Sequence, residues 1–298
     1  MSFVRINTTP RPDWAKKVSE RGLIWHTPNG QRYWNESAYY SFSARQIETL
    51  EQSTAVLHEL CLAAAQFIID NDRFASLGIP SFAVPAIKAT WEAEPPSLYG
   101  RFDLAWDGSM HNQPRLLEYN ADTPTSLLEA SVIQWDWLKD SHHSDADQWN
   151  SIHEKLLDKF KELLTGGHLS RTLHFAGVED DSSHNEDAMT LTYLLDVAEQ
   201  AGFKVAQLPI EQVGWDTKTK RFIGLYDEPI EGIFKLYPWE WMINEEFGPK
   251  AIDSIWSGET KWIEPIWRML WSNKGLLAIL WEMYPNHPNL LPACLDGP

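Results

Sequence analysis

Polar side chains on two neighbouring stretches of the chain could together hold a divalent cation. In residues 98–106 polar and apolar residues alternate, so Arg101 and Asp103 leave a strand on the same face. A second alternating stretch soon afterwards places Glu118 and Asn120 together. Two carboxylates and an amide oxygen suit Mg²⁺ beside phosphate, and an arginine can clamp an anion. The pattern predicts a magnesium and anion site, although an exposed hairpin with ordinary salt bridges has the same spacing.

The residues around these stretches indicate how they are held. The connection, residues 107–114, reads DGSMHNQP and is rich in turn formers, which predicts an antiparallel hairpin. After the second stretch, Ser126 and Glu129 have the spacing of a capping box, which predicts a helix that begins at Ser126. Free backbone N–H groups at that helix start would form an anion site beside the proposed metal.

A long helix is predicted before the hairpin. Ser43 and Gln46 again have capping-box spacing, and apolar residues then recur at intervals of three and four as far as Ile68. We expect Gly78 and Pro80 to stop this helix.

The second half of the chain shows a strand–helix–strand pattern. Residues 171–176 predict a strand, 187–200 a helix and 203–208 a second strand. The acidic residues 178–187 lie where open α/β sheets place ligands, but a solvated run of charges is an equal alternative. A further short strand is predicted over 262–265.

Two more predicted strands, 221–226 and 230–236, are expected to pair with each other. Lys235 ends the second of them, and we predict that it binds an anionic part of a substrate. Glu231 or Glu240 could equally be its partner.

Composition limits the possible functions. The 298 residues are 43% hydrophobic and 22% charged, which is typical of a globular protein of one large or two modest domains. A net charge of −17 argues against a nucleic-acid partner. Cys61 and Cys294 form no disulfide framework, and adjacent His142 and His143 are typical of a surface loop. No signal-peptide pattern or membrane-length apolar run is evident, so we expect a cytoplasmic protein without a membrane partner.

Several motifs resemble one known family. They are RFD at 101–103, LLEYNADTPTS at 116–126, FKLYPWEW at 234–241, EPIW at 264–267, SNK at 272–274 and PNHPNLLPA at 285–293. Together they resemble the glutathionylspermidine synthase family, most closely its stand-alone members that lack the amidase domain. LLEYNAD is the most specific of these motifs.

The resemblance implies an α/β fold. It consists of a pre-ATP-grasp α/β domain with an N-terminal helical region and an incomplete C-terminal ATP-grasp. The corresponding divisions are an N-terminal helical and aromatic region (1–97), the pre-ATP-grasp-like region (98–240) and a partial ATP-grasp region (241–298).

The resemblance also implies an activity. Family members join the glycine carboxylate of glutathione to an amine of spermidine, with ATP and Mg²⁺ as cofactors. The carboxylate is phosphorylated and the amine then attacks the acyl phosphate. The implied partners are therefore a glutathione-like peptide and a polyamine or other amine.

The matched positions imply individual roles. Metal ligands are Asp103, Glu118 and Asn120; a catalytic arginine is Arg101; substrate contacts are Thr123, Glu186 and Asp187; and the nucleotide lysine is Lys274. Aspartate at position 187 is shorter than the acid expected there, so its reach is reduced.

One part of the family pattern is missing. Neither GxGxxG nor GxxxxGK[ST] occurs, and the resemblance implies a further C-terminal part with a second phosphate lysine and a Gly-rich loop. We therefore expect weak or no turnover from this polypeptide alone. The alternatives are a non-catalytic peptide- or metabolite-binding module that keeps the magnesium patch, and a Mg²⁺-dependent phosphoester hydrolase, which no obvious nucleophile supports.

Overall fold

The computed structural model describes residues 3–141, 146–179 and 185–295. The strands, in chain order, are β1 (Val4–Asn7), β2 (Ala38–Ser41), β3 (Arg101–Ala105), β4 (Arg115–Asn120), β5 (Thr172–Gly177), β6 (Lys204–Pro209), β7 (Gly214–Asp216), β8 (Arg221–Ile223), β9 (Gly232–Leu236) and β10 (Lys261–Ile263). The α-helices are α1 (Trp14–Glu20), α2 (Ala44–Asp70), α3 (Val84–Ala93), α4 (Gln134–Asp140), α5 (Ile152–Thr165), α6 (Asn185–Ala201), α7 (Trp239–Met242), α8 (Gly248–Ser257), α9 (Met269–Ser272) and α10 (Gly275–Met283). His142, His143 and the middle of the predicted acidic loop lie outside the described residues.

A four-stranded parallel sheet in the order β10-β9-β5-β6 forms the centre of the molecule. α6 connects β5 to β6, which confirms the predicted strand–helix–strand unit with its bounds shifted by one or two residues. Parallel sheets need cover on both faces. α5 and α6 contribute Phe160 and Leu194 to the core on one face, and Ala176 and Ile233 face a second core. The predicted α/β class is confirmed.

The predicted pairing of 221–226 with 230–236 forms only at one end, where Ile223 bridges Pro229 and Ile230 N donates to the Phe222 carbonyl oxygen at 2.9 Å. β8 pairs antiparallel with β7 across a turn in which Lys220 has a left-handed φ of 56°, and β9 instead lies between β5 and β10. Every residue of β9 is buried, and such a continuous run suits the interior of a parallel sheet rather than a two-stranded hairpin.

The capping box of α2 forms as predicted. Gln46 N donates to the Ser43 hydroxyl, and the Gln46 side chain accepts from Ser43 N. The predicted end at Gly78 is wrong, because α2 stops at Asp70 and a separate 3₁₀ turn, Arg73–Leu77, follows before Gly78.

By length and composition alone, α2 is apolar enough to cross a membrane, contrary to the expectation that no such run exists. A core helix passes the same test. In this structure one face of α2 lies in the core through Leu57, Cys61, Ala64 and Ile68.

The predicted division at 240/241 falls inside one core and one sheet. β10 pairs with β9 across this position, and a single apolar cluster includes Leu57, Trp239, Trp262 and Leu276. Residues from all three predicted regions therefore pack together.

Candidate functional site

The antiparallel hairpin of β3 and β4 brings the four predicted polar side chains to one face. Arg101 lies opposite Asn120, and Asp103 lies opposite Glu118. Directly opposed residues project from the same side of the sheet, with Cβ atoms about 5 Å apart. The register shifts only after Asp103, so the pairing of these four residues is regular. The two polar faces coincide as predicted.

The opposite face of the hairpin anchors it to the core. Phe102 packs on Tyr119 with ring centroids 4.0 Å apart, and Tyr119 stacks on Trp271 at 5.0 Å. Leu116 is also buried. The register shift after Asp103 skips Leu117, so Leu116 rather than Leu117 lies on this apolar face, and Leu117 is 43% exposed. The polar face is half-exposed while the apolar face is fixed.

Each carboxylate of the polar face meets a cation. Lys274 Nζ lies 2.9 Å from Glu118 Oε2, and Arg101 Nε lies 2.9 Å from Asp103 Oδ1. Lys274 immediately precedes α10, where the Asn273 side chain accepts from Gly275 N at 2.8 Å and caps the helix start. The patch consequently combines metal-ligating oxygens with two positive groups suited to phosphate.

The side-chain oxygens of Asp103, Glu118 and Asn120 suit a Mg²⁺ ion that is also bound by water and substrate. The second carboxylate oxygens of Asp103 and Glu118, and the Asn120 amide, make no hydrogen bond to any described residue. Among residues 3–141, 146–179 and 185–295, no group of three or more His, Cys, Asp or Glu is placed to hold a metal. Mg²⁺ is commonly held by one or two carboxylates together with water and substrate phosphates. The patch suits such a shared ion and does not suit a metal enclosed by protein ligands.

The predicted capping box at Ser126 is wrong. Ser126 has a left-handed φ of 67°, and Glu129 lies in a single π-helical turn, Glu129–Ile133, that runs into α4. Glu129 is buried and accepts a hydrogen bond from Tyr33 Oη at 2.7 Å instead of reaching back to the helix start. Burial, and then the contact with Glu129, raise the pKa of Tyr33.

The Glu186 carboxylate lies at the predicted helix start beside Ser126, where the sequence predicted that an anion would bind. The Thr125 hydroxyl donates to Glu186 Oε1, and Ser126 Oγ lies 3.3 Å from the same atom. Arg101 Nη1 donates to the carbonyl and hydroxyl oxygens of Thr125 at 3.3 and 3.4 Å. Thr125 thus links the predicted catalytic arginine to a predicted substrate residue. The sequence analysis did not predict this role for Thr125. Its hydroxyl, close after LLEYNAD in the chain, was the feature that could have indicated it.

The other two predicted peptide contacts lie at the edges of this network. Thr123 is half-buried in the loop after β4, and its hydroxyl has no hydrogen-bond partner among the described residues. Asp187 is half-buried in the first turn of α6, next to Glu186. The roles assigned to both remain predictions.

Lys235 is not placed to meet a substrate. Its side chain is 0% exposed, and Nζ lies 2.6 Å from Asp122 Oδ1 and 3.0 Å from the Tyr237 carbonyl oxygen. Trp239 N donates to the other oxygen of Asp122 at 2.7 Å. Burial lowers the pKa of Lys235, and the charge of Asp122 opposes this. The partner is Asp122 rather than either glutamate suggested by the sequence, and the predicted substrate contact is not supported.

A second buried ion pair was not anticipated. Glu264 Oε1 accepts from Leu98 N at 2.9 Å and Tyr99 N at 3.3 Å, and Arg268 Nε donates to Oε2 at 3.1 Å. Arg268 also donates to the Tyr99 carbonyl at 2.8 Å. Burial raises the pKa of Glu264, and Arg268 opposes this. This pair fixes the segment that enters β3, and Asp122 fixes the segment that leaves β4.

These features define a mixed α/β protein with a central parallel sheet and a separate polar hairpin that is suited to Mg²⁺ and phosphate. A glutathione synthetase-like effector from Globodera pallida has a related fold, with a TM-score of 0.51, 9% identity and coverage of 91% of this chain and 67% of that one. The glutathionylspermidine synthase pre-ATP-grasp family model matches residues 5–298, and the chain belongs to that family.

Two relatives illustrate the range of the family. A Haemophilus influenzae protein assigned as an acid–amine ligase is 40% identical over 95% of this chain and 70% of its own length. The trypanothione synthetase of Crithidia fasciculata is 27% identical over 80% of this chain. The matched region spans only 38% of that synthetase.

Proposed function

We propose that the protein is an ATP- and Mg²⁺-dependent carboxylate–amine ligase of the glutathionylspermidine synthase type. The observation that carries the proposal is the pairing of Asp103 with Glu118 on one hairpin face, with Arg101 and Lys274 in direct contact with them. Carboxylates for a shared metal and cations for phosphate are what phosphoryl transfer to a carboxylate requires.

Each residue has a distinct part in this proposal. Asp103, Glu118 and Asn120 hold Mg²⁺, which when bound neutralises phosphate oxygens. Lys274 contacts the nucleotide phosphates, for which its 70% exposed side chain is accessible. Arg101 stabilises the negative charge on the transferring phosphoryl group and the substrate carboxylate. The acyl phosphate produced is then attacked by the amine, which releases phosphate.

The substrate is proposed to approach through the Thr125 network. Glu186 reaches it from α6, and Thr123 and Asp187 lie beside it. A carboxylate at this position can bind the ammonium group of a glutathione-like peptide, while Arg101 binds the carboxylate that reacts. The amine acceptor is proposed to be a polyamine or a related cation, which the net charge of −17 favours over an anion.

The test is ADP release from the protein with glutathione, spermidine, ATP and Mg²⁺, with each component omitted in turn. Glu118→Gln should abolish Mg²⁺-dependent release, whereas Glu92→Gln, which changes an exposed carboxylate on α3, should leave it unchanged. Measurable Mg²⁺-dependent release that is identical in the wild type and Glu118→Gln would reject the metal assignment.

The same experiment addresses the binding-module alternative. We predict weak or no turnover from the 298-residue chain alone, so peptide binding is measured in parallel by calorimetry. Uptake of glutathione without nucleotide, together with no ADP release under any condition, would favour a non-catalytic module. Robust turnover would contradict the prediction of weak activity and support the ligase.

A further inference from the structure

A cavity of about 410 Å³ lies behind the hairpin, between α2, α3, α5, residues 267–271 and the segment 94–97 that leads into β3. Cavities of this size hold small ligands in many proteins. Trp271 forms part of the wall and also stacks on Tyr119, which anchors the hairpin from its apolar face. Neither Asp103 nor Glu118 lines the cavity. It is therefore separate from the polar face of the hairpin.

Aromatic rings packed edge to face build one side of this cavity. Trp91 lies against Trp267 with ring centroids 5.0 Å apart, and Trp267 lies against Trp271 at 4.5 Å. His58 lies against the other side of the series, 5.5 Å from Trp271. Trp267 and Trp271 are buried, whereas Trp91 is only half-buried. Trp91 therefore offers a flat ring, held in place by its neighbours, on which another flat ring can stack.

Three polar groups in the cavity wall make no hydrogen bond to any described residue. They are the indole N–H of Trp267, the ring nitrogens of His58 and the hydroxyl of Ser97. None of these atoms is fully buried, so each is accessible. The other two tryptophan N–H groups of the wall already donate within the protein. The cavity thus offers a ligand one donor and two groups that can donate or accept.

The charges of the wall are largely compensated by one another. Arg268 is buried and paired with a buried carboxylate at 3.1 Å, and Lys159 is paired with Glu162 at 3.0 Å. Burial, and then the charge of Arg268, lower the pKa of His58, so its imidazole is neutral at pH 7. The remaining ionisable groups of the wall are exposed: Glu94 and His168. The interior therefore suits a neutral ligand better than an ion.

We propose that this cavity binds a flat, neutral nitrogen heterocycle. The ring of the ligand stacks on Trp91, and an acceptor atom takes the Trp267 N–H. His58 and Ser97 bond to its remaining polar atoms. A hydrocarbon ring would remove these three polar groups from water without giving them a partner, which is unfavourable. The proposal uses none of the hairpin residues, so it stands or falls separately from the ligase function.

The test is calorimetric titration of the protein with nicotinamide, which has a flat pyridine ring and an uncharged amide. Two matched probes isolate the proposed features. Nicotinate replaces the amide by a carboxylate, and cyclohexanecarboxamide keeps the amide but has no flat ring. We expect nicotinamide to bind, and each matched probe to bind more weakly by about fivefold or more.

Variants locate the binding in this cavity. Trp91→Leu removes the stacking ring, and His58→Phe keeps a ring but removes both nitrogens. Each should weaken nicotinamide binding by about fivefold. Trp256→Leu is the matched control, since Trp256 is a 55% exposed tryptophan on α8, outside the cavity, and its affinity should equal that of the wild type. Thermal unfolding checks each fold, and Ser97→Ala gives a milder cavity variant if Trp91→Leu does not fold.

Several results would overturn the proposal. One is the absence of nicotinamide binding at millimolar concentrations, and another is equal affinity for all three probes. Wild-type affinity in the His58→Phe/Ser97→Ala double variant would also overturn it. So would loss of nicotinamide binding in Lys274→Ala with full binding in the cavity variants. That last result would place the heterocycle at the proposed nucleotide site and leave the proposed ligase function intact.

Discussion

Asp122 and Lys235 are 113 residues apart in the chain, and their side chains form a buried ion pair with an Oδ1–Nζ distance of 2.6 Å. Asp122 directly follows β4, and Lys235 lies in β9 of the parallel sheet. The pair therefore joins the polar hairpin to the sheet. With Glu264 and Arg268 at the other end of the hairpin, it determines where Asp103 and Glu118 are presented.

Removing one member of this pair should strongly destabilise the protein. Lys235→Met leaves the Asp122 carboxylate buried without its counter-charge, and we expect a loss of about 3–5 kcal/mol in the free energy of unfolding. Urea denaturation measures it. Lys16→Ala removes an exposed ion pair with Glu20 and should change stability by less than about 0.5 kcal/mol. Similar small effects for both variants would show that the buried pair has no anchoring role.

Lys274 should compete with Mg²⁺ for Glu118 when no nucleotide is bound. Because its ammonium lies 2.9 Å from Glu118 Oε2, Lys274→Ala should tighten binding of Mg²⁺ alone, by up to about fivefold. Glu118→Gln should weaken it. Calorimetric titration with MgCl₂ gives both affinities. The control is Lys250→Ala, which removes a lysine of α8 that contacts Glu246. Weaker Mg²⁺ binding in Lys274→Ala would mean that the lysine does not occupy the metal's position.

Tyr33 should stabilise the helix that follows the substrate loop. Tyr33→Phe removes the donor to buried Glu129, and we expect a loss of about 1 kcal/mol at neutral pH. Tyr226→Phe, at a 90% exposed position, should have no effect. Unfolding in urea distinguishes the two variants, and equal stabilities would contradict the contact.

The contact between Tyr33 and Glu129 should make the stability of the folded protein decrease at high pH. The pKa of Tyr33 is raised in the folded protein above its ordinary value of 10.0, so the unfolded chain loses this proton first. The stabilisation is present below pH 10 and is lost as the pH rises towards the folded pKa. A difference absorbance titration between the wild type and Tyr33→Phe should show phenol ionisation above pH 10; a transition at or below pH 10 would contradict the burial of this group.

The two cysteines should differ sharply in reactivity. Cys61 is buried on α2, and burial raises its pKa to about 12, whereas Cys294 is exposed. A thiol reagent at pH 8 should modify Cys294 alone in the native protein and both cysteines in denaturant. The Cys61 contribution to stability is present below pH 9 and is lost as the pH rises through about 12, because only the unfolded thiol ionises in that interval. Rapid native modification of two thiols would show that α2 is not packed as described.

Local patterns in the sequence were sufficient for several features. The alternation in β3 and β4, together with the turn formers between them, predicted the hairpin and its shared polar face. The capping box of Ser43 and the strand–helix–strand unit around α6 were also correct. These features depend on residues close together in the chain, where side-chain periodicity and turn chemistry determine the conformation.

Tertiary structure alone decided how the site is held. The partner of Lys235 is 113 residues away, Tyr33 reaches Glu129 across 96 residues, and Thr125 meets Glu186 across 61. The same holds for β9, whose strand partners are β5 and β10 rather than the predicted stretch 221–226. No local pattern specifies such partners, because a buried charge or strand edge is satisfied by whichever group the packed core brings to it.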